Sequence, residues 1–277
     1  MRLFEFQAKA LLKEWGIPVP SGRTARSVEE ILVERPSVLK AQIPAGGRNK
    51  AGGVAFVKDQ TEAEREGLKI LGMDVRGYHV DQLLIEDRIA IQKEYFLAVT
   101  YETSEKRAVA IFCPEGGIDI EELAVIHPEK VVKQRFSVRH GFQDFEARNV
   151  CLAGGLKGKE LVAVSRILHR MVQLFIECDA TIVEINPLAQ TPEGECFACD
   201  AHIDIEDEAL YRHKALEEKY GIQERESGAM QQTAFEKKAR EINGLDHRGV
   251  AGRMIEFEGD IGLLIGGGER ASPPLTR

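Results

Sequence analysis

The chain has 277 residues, 43% of them hydrophobic and 30% charged, with a net charge of −8. That describes a soluble globular protein of one large or two ordinary domains. The acidic balance argues against a nucleic-acid surface, and no apolar run approaches the roughly 18 residues of a membrane span.

The start, Met1-Arg2-Leu3-Phe4-Glu5, lacks the apolar core of a signal peptide. With five cysteines, it points to reduced thiols and a cytoplasmic setting. Phe4, Ala8, Leu11, Leu12 and Trp15 recur at helical spacing, and Gly16 and Pro18 end that helix. Residues 28–34 read as a short helix, and residues 37–42 as a strand carrying Lys40 near its end. Residues 44–53 form the densest glycine loop of the chain, followed by a strand at 54–57 and a helix at 62–71. Residues 82–86, 95–101 and 107–113 read as strands of one antiparallel sheet. Leu161, Val164, Leu168, Met171, Val172 and Phe175 predict a long amphipathic helix.

That helix leads into two β-branched, apolar segments, 181–188 and 196–205, joined by the turn formers Thr191-Pro192-Glu193-Gly194. A hairpin symmetric about Glu193 sets Asn186 opposite Asp200 and Glu184 opposite His202. Alternation puts all four on one face, with opposed Cβ atoms about 4.5–5.5 Å apart. One amide oxygen and one or two carboxylates at that spacing suit Mg²⁺ shared with phosphate oxygens. A polar, solvated hairpin face is the competing reading. Cys196 and Cys199, three apart on a strand, face opposite sides, which speaks against a metal clip or a redox pair.

In the glycine loop, Gly46, Gly47, Gly52 and Gly53 surround Arg48 and Lys50. Glycines let backbone N–H groups approach an anion, and the cations add charge. A flexible surface turn is the alternative. It is no Walker loop, since Gly-Lys-Ser/Thr is missing. Lys40 suits a nucleotide phosphate or a snorkelling strand end. Glu86, ending Leu83-Leu84-Ile85, suits a ribose or adenine contact or a solvated strand end. Residues 210–242 are charged and helix-like, and read as a connector. Residues 261–265 read as a buried-type strand opening a second α/β domain.

Taken in order, these segments resemble the β subunit of the ADP-forming succinyl-CoA synthetase family. The resemblance runs from Leu3-Phe4-Glu5-Phe6-Gln7-Ala8-Lys9 through Lys40-Ala41-Gln42 and the loop Ala45 to Val54. It continues through Leu84-Ile85-Glu86, Lys93-Glu94-Tyr95 and Glu115-Gly116-Gly117 to Glu184-Ile185-Asn186-Pro187-Leu188, and ends at Glu258-Gly259-Asp260-Ile261-Gly262. It implies an α/β fold, an ATP-grasp domain of two α+β subdomains over residues 1–243. Residues 244–268 would begin a flavodoxin-like C-terminal domain, and 269–277 depart from the family. It implies that Lys40 holds nucleotide phosphates, with Gly47, Arg48 and Asn49 on the phosphate loop. Glu86 and Ile89 would border adenine and ribose, Glu94 would contact the nucleotide, Asn186 and Asp200 would bind Mg²⁺, and Glu184 would sit beside a phosphate-shuttling histidine. The implied cofactors are Mg²⁺ and ATP, with GTP as the alternative nucleotide. The implied partner is an α subunit carrying CoA and the phosphohistidine, in an α/β hetero-oligomer that activates a small carboxylic acid. Departures are Asn49 where a third glycine is usual, His202 where lysine is frequent, and Gly266 at the expected asparagine near the substrate carboxylate. A malate or other carboxylate ligase and an inactive truncated remnant are the alternatives.

Overall fold

The computed structural model describes residues 1–75, 77–117, 120–220, 233–245, 254–257, 259–260 and 262–263. The chain divides into two compact units, Met1–Ala229 and Met230–Arg277.

The first unit opens with helix α1, Glu5–Glu14, whose Ala8, Leu11 and Leu12 are fully buried. A four-stranded antiparallel sheet follows, built from β1 (Gly22–Ala25), β2 (Ser37–Ala41) and β3 (Val54–Val57). Helix α2, Gln60–Ile70, comes next; the Asp59 side chain caps it by accepting the Glu62 N–H at 2.9 Å. A short ribbon of β4 (Asp74–Val75) and β5 (Tyr78–His79) leads to β6, Leu83–Asp87, which slots between β1 and β2. Residues 28–34 form only a 3₁₀ turn, Val28–Glu30, rather than the expected helix.

A six-stranded sheet then begins with β7 (Lys93–Glu102) and β8 (Arg107–Cys113). It is joined, after helix α3 (Ile120–Ile126), by β9 (Val132–Phe136). Helices α4 (Asp144–Ala153) and α5 (Gly158–Glu177) precede β10 (Ala180–Gln190), β11 (Cys196–Ala198) and β12 (Ala201–Ile205). Strand β10 pairs with β7 on one side and with β11 and β12 on the other. The strands expected at 82–86, 95–101 and 107–113 all form, but in two sheets. β6 is buried along Leu83, Leu84, Ile85 and Glu86 and has neighbours on both edges, so it is a central strand of the smaller sheet.

Each sheet keeps an apolar face and a polar face, and the alternation decides which side chains reach the site. On the smaller sheet, Leu39, Ala41, Leu83 and Ile85 pack with Ala63 and Ile70 of α2. Lys40 and Glu86 therefore share the opposite face, on adjacent strands paired Val38 with Glu86 and Lys40 with Leu84. On the larger sheet, Val183, Ile185, Ala201, Ile203 and Ile205 join the core that includes Val164, Leu168 and Phe175 of α5. Glu184, Asn186, His202 and Asp204 are left to the other face. Helix α6, Lys214–Tyr220, ends the described part of this unit. In the second unit, helix α7, Ala234–Gly244, carries a capping box between Thr233 and Glu236. The strand expected at 261–265 falls on Ile261, Leu264 and Ile265, which lie outside the described residues.

Candidate functional site

The hairpin forms with the expected register. Glu184 pairs with His202, Ile185 with Ala201 and Leu188 with Ala198. The returning strand is broken at Cys199 and Asp200, between β11 and β12. There the Asn186 N–H donates to the Asp200 carbonyl at 3.3 Å, and the Cys199 N–H to the Pro187 carbonyl at 3.0 Å. The break turns the Cys199 carbonyl and the Asp200 side chain toward the smaller sheet. Asn186 Oδ1 accepts the Gly117 N–H at 2.7 Å.

Facing the hairpin is a buried cluster of charge. Helix α1 contributes Glu5 and Lys9, one turn apart and 2.9 Å from each other. Lys40 Nζ lies 2.9 Å from Glu5 Oε1 and 2.7 Å from Glu86 Oε2, and donates to the Cys199 carbonyl. Lys9 Nζ lies 2.5 Å and 2.6 Å from the two Glu86 oxygens and donates to the same Cys199 carbonyl at 2.8 Å. Arg48 Nη1 is 2.7 Å from Glu5 Oε2, and Arg48 Nη2 is 2.8 Å from Asp200 Oδ1. Three cations thus meet three carboxylates, which is how buried charge is tolerated.

The electrostatics follow from the pairing. Burial pushes the Glu5 carboxyl up, but Lys40, Lys9 and Arg48 outweigh it and hold Glu5 well below the usual carboxylate range. Burial works against the charge on Lys40, yet Glu5, Glu86 and Asp200 raise it above the ordinary lysine value. Arg48 is raised in the same way, against burial, by Glu5 and Asp200.

The loop around Arg48 is held by its own backbone. Gly53 N–H donates to the Arg48 carbonyl at 2.9 Å, and Ala41 N–H to the Gly53 carbonyl at 2.7 Å. Gly53 packs so closely that an added Cβ would lie 3.1 Å from Ala41 Cβ. Gly47 has φ 74°, and both it and Asn49 are exposed while Arg48 is buried. Glu94 is half-buried on β7; its Oε2 would lie 2.6 Å from a Cβ placed on Gly117. Ile89 is half-buried just past β6.

The structure therefore gathers Lys40, Arg48, Glu86 and Asp200 in one contiguous network, and links Asn186 to Glu94 through Gly117. Glu86, expected at an adenine or ribose, is held by Lys9 and Lys40. Glu184 and His202 form a second polar patch on the hairpin, where His202 Nε2 lies 3.0 Å from Asp204 Oδ1. Burial pushes Asp204 up, but the bond from His202 wins and lowers it. Glu5, Lys9 and Gly117 were not singled out from the sequence as site residues. The only local signal for the first two was a Glu–Lys pair at i, i+4 in a buried helix. Among the described residues no group of three or more His, Cys, Asp or Glu side chains is placed to hold a metal. A site of Asn186 and Asp200 still fits Mg²⁺, which needs few protein ligands when water and phosphate complete its shell.

The ATP-grasp domain family matches residues 2–190. The chain is similar to the succinate–CoA ligase [ADP-forming] subunit beta of Methanocaldococcus jannaschii, 37% identical over 77% of this chain and 59% of that protein. It is also 37% identical to the namesake subunit of Aquifex aeolicus, over 98% of this chain and 73% of that one. A Thermus thermophilus relative, 40% identical over 79% of this chain and 59% of its own length, is called succinate–CoA ligase [GDP-forming] subunit beta. The chain thus spans 59% of the length of two of these relatives and 73% of the third. Among solved structures, an ATP citrate lyase of Methanothrix soehngenii superposes with TM-score 0.64 at 18% identity, over 89% of this chain and 60% of that one. The Korarchaeum cryptofilum acetyl-coenzyme A synthetase 1 gives 0.60 at 20% identity, over 74% and 93%. Both likenesses are of fold, mixed α/β ATP-grasp.

Proposed function

Since the chain belongs to the ATP-grasp family of succinate–CoA ligase β subunits, we propose that it is the nucleotide-binding half of an acid–CoA ligase. It takes ATP at the Lys40–Arg48 cluster and passes the γ-phosphoryl group to a histidine of a partner α subunit that carries CoA. ADP and phosphate leave as a small carboxylic acid becomes a CoA thioester. The observation that carries this reading is the convergence of Lys40, Arg48 and Asp200, from the strand, the glycine loop and the hairpin, on one ion-pair network that is buried except at Asp200.

Phosphoryl transfer asks a protein mainly for positioning and charge neutralisation. Lys40 and Arg48 supply positive charge whose desolvation the fold has already balanced with carboxylate partners. Asn186 and Asp200 would hold Mg²⁺, which would neutralise charge developing on the phosphates. Gly47, Arg48 and Asn49 would present the loop to the phosphate chain, and Glu94 and Ile89 would border the nucleoside. Glu184 would receive the partner's histidine on the half-buried polar face of the hairpin. Two of the three relatives are named ADP-forming, which favours ATP, and GTP is the alternative, as the GDP-forming name of the Thermus relative suggests. Gly266, where the family's asparagine near the acid is expected, keeps malate or another carboxylate as the alternative to succinate.

The test mixes the chain with an α subunit and γ-labelled ATP. Label is expected on the partner as an acid-labile, base-stable histidine phosphate, and only with both proteins present. ATP that binds without any transfer to the partner would overturn the ligase reading. A panel of succinate, malate and citrate then assigns the acid.

A further inference from the structure

Lys9 and Lys40 meet the same three acceptors: the Glu5 carboxylate, the Glu86 carboxylate and the Cys199 carbonyl. An ammonium has three N–H donors and no more. Lys40 is therefore fully engaged, and a phosphate oxygen reaches it only by replacing one of these partners. Both lysines and both carboxylates are buried. A carboxylate released there must keep another cation, because an unpaired buried charge is what the fold tolerates least.

We propose that Lys9 is a positioning residue for nucleotide phosphate, the reserve counter-ion that stays on Glu5 and Glu86 when Lys40 turns to the ligand. This rests on the reading of Lys40 as the phosphate-binding lysine. Lys9 suits the part by geometry. It is 2.5 Å and 2.6 Å from the two oxygens of Glu86, and its helix also carries Glu5, so it need not move when Lys40 does. Glu5 retains Arg48 as well. Among the ion pairs of the described residues, Glu86 has no charged partner other than the two lysines, so it is the group that Lys9 protects. Without Lys9, Lys40 is the sole cation on Glu86 and is pinned there.

The experiment is calorimetric titration of the full chain with ATP and with ADP, alongside melting temperatures. The variants are Lys40→Met, Lys9→Met, Glu86→Gln and the Lys9→Met/Glu86→Gln double. Lys9→Met is expected to weaken nucleotide binding about tenfold or more, equivalent to about 1.4 kcal/mol. In the Glu86→Gln background the same change should cost less than about threefold, because no carboxylate is left to strand. Lys9→Arg should recover most of the loss. A Lys9 that merely stabilises the fold predicts equal losses in both backgrounds, and that result overturns the proposal. So does nucleotide binding by Lys9→Met within about threefold of the parent. If Lys9→Met does not fold, the double variant set against Glu86→Gln decides: tenfold weaker binding there counts against the reserve role. A parent chain whose binding is unaffected by Lys40→Met instead overturns the reading of Lys40, and is told apart by that variant alone.

Discussion

Arg48 and Asp200 lie 152 residues apart in sequence, yet the guanidinium Nη2 stands 2.8 Å from the carboxylate Oδ1. The glycine loop and the hairpin are thereby joined through the residue assigned to the metal. Asp200 keeps 46% of its side chain exposed while Arg48 keeps 10%. The pair is half in water, and its carboxylate has room to exchange the guanidinium for a cation.

Asp200→Ala should therefore weaken Mg-ATP binding by more than about tenfold, leaving Asn186 as the only assigned ligand. Binding of metal-free ATP should change far less, or improve slightly as Arg48 is released. Titration with and without Mg²⁺ checks this, and equal losses in both conditions would count against the metal assignment.

The buried cluster sets a pH profile for stability. Glu5 is held below its unfolded value of about 4.3, so its contribution is fully present above that pH. It is lost as pH falls through the lower folded value. Lys40 is raised, so its contribution is present below about 10.4 and fades as pH rises beyond it. Between about pH 5 and 9 neither Glu5 nor Lys40 changes its charge, so neither adds pH dependence to stability there. Glu5→Gln leaves three cations short of a partner and should cost about 3–5 kcal/mol. It should also flatten the acid limb of the melting curve below about pH 4. An unchanged acid limb would show that the fold does not hold the Glu5 carboxyl below its unfolded value.

Gly117 has φ 72°, and an added Cβ would lie 2.6 Å from Glu94 Oε2. Gly117→Ala combines a left-handed backbone with a collision. It should destabilise the protein by about 1–2 kcal/mol and shift both Glu94 and the bond to Asn186 Oδ1. Weaker nucleotide binding together with a lower melting temperature is expected. A variant that melts and binds like the parent would show that this segment does not position Glu94.

The groups gathered in the cluster are carboxylates, ammonium groups, a guanidinium and a carbonyl. None is the histidine nucleophile that phosphoryl relay requires. The purified chain, shown to be free of an α subunit, should form no CoA thioester from ATP, CoA and succinate. Steady thioester formation under those conditions would sink the two-subunit reading.

Much of the secondary structure was legible because its causes are local. The apolar period of α1 and α5, the alternation of β10 and the turn formers at 191–194 act over a few residues, and symmetry about the turn was enough to pair Glu184 with His202. Other local elements, β9 and α4 among them, were not marked by a pattern strong enough to read. What only the tertiary structure decided is which distant elements meet. β6 and β7 are separated by five residues, yet they belong to different sheets, because β6 is buried from Leu83 to Glu86 and fills the gap between β1 and β2. Nothing within the first helix says that Glu5 and Lys9 face Lys40 and Glu86. The burial of Glu5 and Lys9 comes from partners 35 and 77 residues away. A charge is stable inside a protein only when the rest of the chain brings it a counter-charge, and that pairing does not exist until the two sheets and the helix have packed.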